Sequence, residues 1–123
     1  MHIDPASHVP VFEQIVAHFR QAIAAGVYQA GEMLPSVRAA ALRCAVNPNT
    51  VQRAYQALER EGLIATRRGR GVFVTQGGVA AAERNAAEAA AARFAEGVQI
   101  GRAAGIEDER LAALFERALG DER

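Results

Sequence analysis

Asn49, Arg53, Gln56 and Arg60 recur at intervals of three and four residues, a spacing that stacks them on one face of an α-helix. At 100° per residue, Val51, Tyr55 and Leu58 fall on the opposite face, with Ala54 at its margin and Gln52 at the edge of the polar one. Amide and guanidinium groups are the side chains that read base edges: Arg pairs bidentately with guanine, and Asn or Gln with adenine. A helix face carrying them therefore offers the chemistry of sequence reading in a DNA groove. The first residues of such a helix approach the bases, which ranks Asn49, Thr50, Gln52 and Arg53 ahead of Arg60. In isolation the pattern more often marks an amphipathic helix with a solvated polar face. Its meaning depends on its neighbours.

Those neighbours are specific. Asn47-Pro48 supplies an N-cap candidate followed by proline at the first helical position, and Gly62 stops the helix after about Glu61. Ser36 is the N-cap candidate of a shorter helix running to about Cys44, so that two helices flank a three-residue turn. Downstream, the β-type runs Leu63–Arg67 and Val72–Thr75 are joined by Arg68-Gly69-Arg70-Gly71 and read as a hairpin. Helix, turn, helix and hairpin make a winged helix-turn-helix. Glycines in the hairpin tip allow close backbone approach, while its guanidinium groups suit phosphate or a narrow minor groove. Arg38, on the shorter helix, is placed to reach backbone or bases near the groove edge. Upstream, Phe12, Ile15, Val16, Phe19 and Ile23 form a helical stripe with Pro10 in the first turn and Gly26 at the stop. Val27–Met33 has turn chemistry. Phe12, Ile15, Phe19, Val51, Leu58 and Phe73 are the expected local core, and Tyr55 a core residue whose hydroxyl could reach a phosphate.

The composition changes after Gln76-Gly77-Gly78. Twelve alanines lie between Val79 and Gly105, giving strong helix propensity with few large anchors. A last helix begins near Ile106, with Glu107, Asp108 and Glu109 at its positive pole and Leu111, Leu114, Phe115 and Leu119 as its apolar stripe. Gly97, Gly101 and Gly105 recur every four residues, a pattern that would allow close helix approach, although Gly105 reads better as a helix-end glycine. Charge divides at the same boundary. Residues 1–75 hold eight Arg against five acids, and residues 76–123 six Arg against nine, while the 123-residue chain as a whole sums to zero. Such asymmetry fits one half facing an anionic partner.

Other chemistry finds little support. His2, His8 and His18 lack metal-ligand spacing, and Cys44, the single cysteine, cannot form an internal disulfide. No nucleophile–base signature or phosphate-cradling loop is present, so no enzyme activity, cofactor or metal is expected. There is no apolar run of about 18 residues and no basic-then-apolar leader at Met1-His2-Ile3-Asp4-Pro5, which reads as a cytoplasmic chain without membrane association. Two Ala-rich helices are expected to enclose hardly any effector pocket within one subunit.

Leu34-Pro35-Ser36-Val37-Arg38, Val46-Asn47-Pro48-Asn49-Thr50-Val51, Ala54-Tyr55, Leu58-Glu59-Arg60-Glu61-Gly62-Leu63 and Arg68-Gly69-Arg70-Gly71-Val72-Phe73-Val74 resemble the GntR family of bacterial transcription regulators. Pro10–Ile15 and Gly31-Glu32 extend the likeness over roughly residues 9–75, and the short tail resembles the small YtrA-type subfamily. The same pattern heads the MocR regulators, whose long PLP-binding domain these residues have no room to build. The resemblance implies DNA contacts from Arg38, Asn47, Asn49, Thr50, Gln52, Arg53, Arg68, Gly69 and Arg70. It also implies a homodimer built by the C-terminal helices, and repression of the chain's own operon and of a neighbouring transporter. Ala40 and Cys44 stand where larger aliphatic residues are usual, and Ala45 replaces a common turn glycine.

The expected architecture is mostly α with a small β-hairpin: a winged helix-turn-helix domain over 9–76 and a two-helix dimerisation segment over 79–121. The expected function is sequence-specific binding of double-stranded DNA as a homodimeric repressor on a near-palindromic operator, any small-molecule effector being unknown. The alternative is an architectural or protein-interaction winged helix that does not read sequence.

Overall fold

The computed structural model describes residues 2–121 as five helices and one hairpin. In chain order these are α1 (Val11–Ala24), α2 (Val37–Cys44), α3 (Pro48–Arg60), β1 (Ile64–Arg67), β2 (Gly71–Val74), α4 (Gly78–Ala103) and α5 (Asp108–Asp121). The chain forms two compact units that divide between Ala86 and Ala87.

The first unit is built on α1 and α3. Ile15, Val16, Phe19 and Ile23 form the buried stripe of α1, and Val51, Ala54, Tyr55 and Leu58 that of α3. Phe19 meets Tyr55 edge-on, with ring centroids 5.3 Å apart and planes at 82°. The Tyr55 hydroxyl donates to the Pro35 carbonyl at 2.7 Å, so it is committed inside the domain and does not serve as a phosphate-seeking group. His18 lies edge-on to Phe19, and its burial holds the imidazole below the ordinary histidine value.

Local chemistry sets the helix boundaries. Ser36 Oγ accepts from the Ala39 N–H at 3.0 Å and starts α2, and Asn47 Oδ1 accepts from the Asn49 N–H at 2.8 Å and starts α3 behind Pro48. The turn between the two helices passes through Ala45, whose φ of 55° and ψ of 46° are left-handed. An L-residue there costs about 1–2 kcal/mol relative to its right-handed conformation.

The strands pair antiparallel in the register Ile64↔Val74, Ala65↔Phe73, Thr66↔Val72 and Arg67↔Gly71. Residues 31–34 lie along the far side of β2: Gly31 N–H donates to Val74 O, Leu34 N–H to Val72 O, and Val74 N–H to Glu32 O, all at 2.8–2.9 Å. The stretch expected to be a plain turn thus ends by docking on the hairpin, with Met33 bridging Phe73. Phe12 and Phe73, expected in the core, are only half-buried; Leu34, Leu63, Ile64 and Val74 are buried in the hydrophobic centre.

The first unit extends past residue 76. Ala82 is fully buried, and Asn85 Nδ2 donates to Glu61 Oε1 at 3.1 Å. The same Glu61 carboxylate accepts two bonds from Arg20, at 3.0 and 2.9 Å, so α1, the end of α3 and the first turns of α4 share one polar clamp.

In the second unit, α4 ends in a Schellman-type stop: Gly105 N–H donates to Arg102 O and Ile106 N–H to Gly101 O, each at 3.0 Å, with Gly105 at φ 80°. Arg102 then forks onto Asp108 at 3.0 and 2.9 Å. Gly101 is buried, and a Cβ there would overlap the Leu111 side chain, so the missing side chain is what admits α5. Phe94 and Phe115 meet edge-on at 5.3 Å. No α5 residue is buried. The two helices, α4 and α5, frame a groove of about 640 Å³ lined by Phe94, Val98, Leu111, Leu114 and Phe115, which they leave open to solvent. Ile100 and Leu119 are exposed outside this lining.

Candidate nucleic-acid interface

The polar face of α3 is open. Asn49, Gln52, Arg53 and Gln56 are exposed, and Thr50 is half-buried. Amide, hydroxyl and guanidinium groups are therefore carried on one rigid helix whose other face is locked in the core. Asn49, Thr50 and Arg53 converge on a cleft of about 380 Å³, closed on its other side by Pro10, Val11 and Phe12 from the start of α1. Arg53 lays its guanidinium over the Phe12 ring, 3.8 Å from the centroid. That stack was not visible in the sequence, where Phe12 reads simply as another member of an apolar stripe.

Asn47 is exposed, but its carbonyl oxygen already caps α3. An outward contact from this side chain would come from its amide NH₂, which suits a phosphate acceptor. Arg38 is exposed on α2.

The hairpin tip presents Arg68, Gly69 and Arg70, all exposed. Arg70 N–H donates to Arg67 O at 2.9 Å to close the turn, and Gly69 and Gly71 take φ values of 75° and 126° that favour glycine. Arg67 turns back over Phe73, 5.5 Å from the ring centroid. A further tie, from Glu59, was missed by residue typing because a glutamate on a solvated helix face carries no signal. Its Oε2 accepts from the Thr66 N–H at 3.1 Å and pins the hairpin to α3. Arg20, Arg53 and Arg67 each have a partner inside the first unit, whereas Arg38, Arg68 and Arg70 make no salt bridge among the described residues.

Among the described residues no group of His, Cys, Asp and Glu could hold a metal ion, and no helix is long and apolar enough to cross a membrane.

Comparison with known proteins agrees with this geometry. Residues 12–74 match the sequence profile of bacterial regulatory proteins, gntR family. The HTH-type transcriptional repressor YtrA of Bacillus subtilis is 46% identical over 74 residues, which make up 60% of this chain and 57% of YtrA. The HTH-type transcriptional regulator Rv1152 of Mycobacterium tuberculosis is 34% identical over 106 residues, 86% of this chain and 83% of that protein. A GntR family transcriptional regulator from Listeria monocytogenes superposes with a TM-score of 0.78 at 32% identity, covering 94% of this chain and 98% of the other. With its winged helix-turn-helix and its two C-terminal helices, the chain belongs to the GntR family of bacterial regulatory proteins.

Proposed function

We propose that this chain is a sequence-specific DNA-binding transcriptional regulator that acts as a homodimeric repressor on a near-palindromic operator. The observation that carries the reading is the exposed row Asn49, Gln52, Arg53 and Gln56 on a helix anchored by its opposite face, beside an arginine-glycine hairpin tip. The helix supplies base-edge donors and acceptors; the tip supplies charge for phosphate. Thr50 joins this row in approaching the bases, Arg38 reaches backbone or bases near the groove edge, and Asn47, Arg68, Gly69 and Arg70 complete the contact set. Repression is supported by the name of the YtrA relative, a transcriptional repressor; occupation of an operator, and control of the chain's own operon and a neighbouring transporter, are parts of the same proposal.

Dimerisation is supported by the second unit. Phe94, Val98, Leu114 and Phe115 remain substantially exposed around one groove, and Ile100 and Leu119 are exposed outside it, an apolar set unusual to leave uncovered. A second copy would cover it and bring two reading helices to a two-fold site.

The test is Asn49→Ala in a fluorescence titration over salt, using a duplex footprinted upstream of the chain's own gene and a random duplex. Loss of a base contact costs roughly 1–3 kcal/mol on the footprinted site and far less on random DNA. Equal losses on both would remove the base-reading assignment and favour an architectural winged helix.

A further inference from the structure

We infer that Phe12 is a positioning residue for base reading: its ring holds Arg53 by the guanidinium face and leaves the in-plane N–H edge for a guanine. The inference rests on the proposal that α3 reads bases, and it assigns a role in that reading to an apolar side chain at the start of α1, outside the reading helix. Four observations support it. The Arg53 carbon is 3.8 Å from the Phe12 ring centroid, close enough for full face contact. Among the described residues no carboxylate is within salt-bridge distance of Arg53, so no ion pair competes for its N–H edge. Phe12 is half-buried at the rim of the hydrophobic centre, its position fixed by packing while one face stays available. Finally, Phe12 and Arg53 line the same cleft as Asn49 and Thr50, so the stack lies within the surface that α3 presents.

The chemistry follows from the shape of guanidinium. A ring over its face uses the π surface and no donor, whereas a carboxylate would occupy the donors that must pair with guanine O6 and N7. Holding a long, rotamer-rich side chain before DNA arrives removes ordering that would otherwise be lost on binding. An exposed cation–π contact of this kind corresponds to about 2–5-fold in affinity.

The experiment uses the full chain and the duplex it recovers by selection from a random 20-base-pair library, with each base pair of that duplex then replaced in turn. Arg53→Ala identifies the base pair at which discrimination disappears. Phe12→Leu is expected to weaken binding to the selected duplex about 2–5-fold. That loss is expected to concentrate at the same base pair and to vanish in the Arg53→Ala background. Phe12→Tyr, which keeps the ring, is expected to restore it. The Arg53 Nε–Hε resonance, shifted upfield by the ring in the parent, is expected to move to the free-arginine position in Phe12→Leu and not in Phe12→Tyr. This readout would not respond to a purely structural role. An equal cost of Phe12→Leu with and without Arg53, or a loss shared by random DNA, overturns the positioning role while leaving base reading intact. Should Arg53→Ala cost the same on selected and random duplexes, the base-reading role of Arg53 and this inference fall together.

Discussion

Ala45 holds the helix-turn-helix turn at a left-handed φ of 55° without the glycine that would adopt it freely. Its N–H still bonds Leu42 O at 3.3 Å, and Val46 N–H bonds Ala41 O at 3.1 Å, so the turn is closed in spite of the strain. Ala45→Gly is expected to relieve about 1–2 kcal/mol of conformational cost, offset by about 0.4–1 kcal/mol from the freer unfolded chain. The net expectation is a gain on the order of 0.5–1 kcal/mol, read as a rise in urea midpoint at unchanged m-value. The reverse logic applies at Gly78. A Cβ there would sit 2.6 Å from the Leu63 carbonyl oxygen, which already accepts from the Thr75 N–H, and 2.9 Å from a methyl of the buried Val74. Gly78→Ala is therefore expected to destabilise the first unit by about 1–3 kcal/mol, measured by the same denaturation.

Among the elements, the hairpin and α3 are assigned different tasks, and salt separates them. Arg70 is exposed on the hairpin tip and bonds the turn only through its backbone, so its guanidinium can replace a counterion on phosphate. Arg70→Ala is expected to weaken footprinted and random duplexes alike and to lower the magnitude of the log K against log salt slope by about one. An unchanged slope would show that the tip does not meet phosphate. These elements were also the readily legible ones. Asn47-Pro48, Ser36 and Gly62 mark boundaries through local hydrogen bonding and backbone preference, which act over a few residues and survive in sequence. The docking of residues 31–34 on β2 was not legible, because it depends on backbone groups meeting across some forty positions and leaves no periodicity behind. The same limit hid the Phe12–Arg53 stack and the Glu59–Thr66 tie. In each, ordinary residue types become informative only through a partner distant in the chain.

At the scale of the whole molecule, the boundary between units matters more than the change in composition. A chain ending at residue 76 would lose Ala82 from the core and Asn85 from the Glu61 clamp, whereas one ending at Ala86 keeps both. Residues 1–86 are therefore expected to fold, to sediment as a monomer, and to lose much of the intact chain's affinity for a two-half-site operator, because tethering no longer raises the effective concentration of the second reading helix. Sedimentation equilibrium beside gel-shift titration measures both. A dimeric 1–86 fragment with full affinity would remove the tail from the dimerisation role. The paired glycines at 77 and 78 look like a spacer, yet the second of them lies against the Leu63 carbonyl and opens a helix whose first turns belong to the first unit. Anyone grafting this first unit onto a foreign tail would naturally splice at those glycines and would divide a single hydrophobic centre between two parents. The usable splice lies in the exposed alanine run from Ala89 to Ala92, where a chimaera inherits the first unit intact.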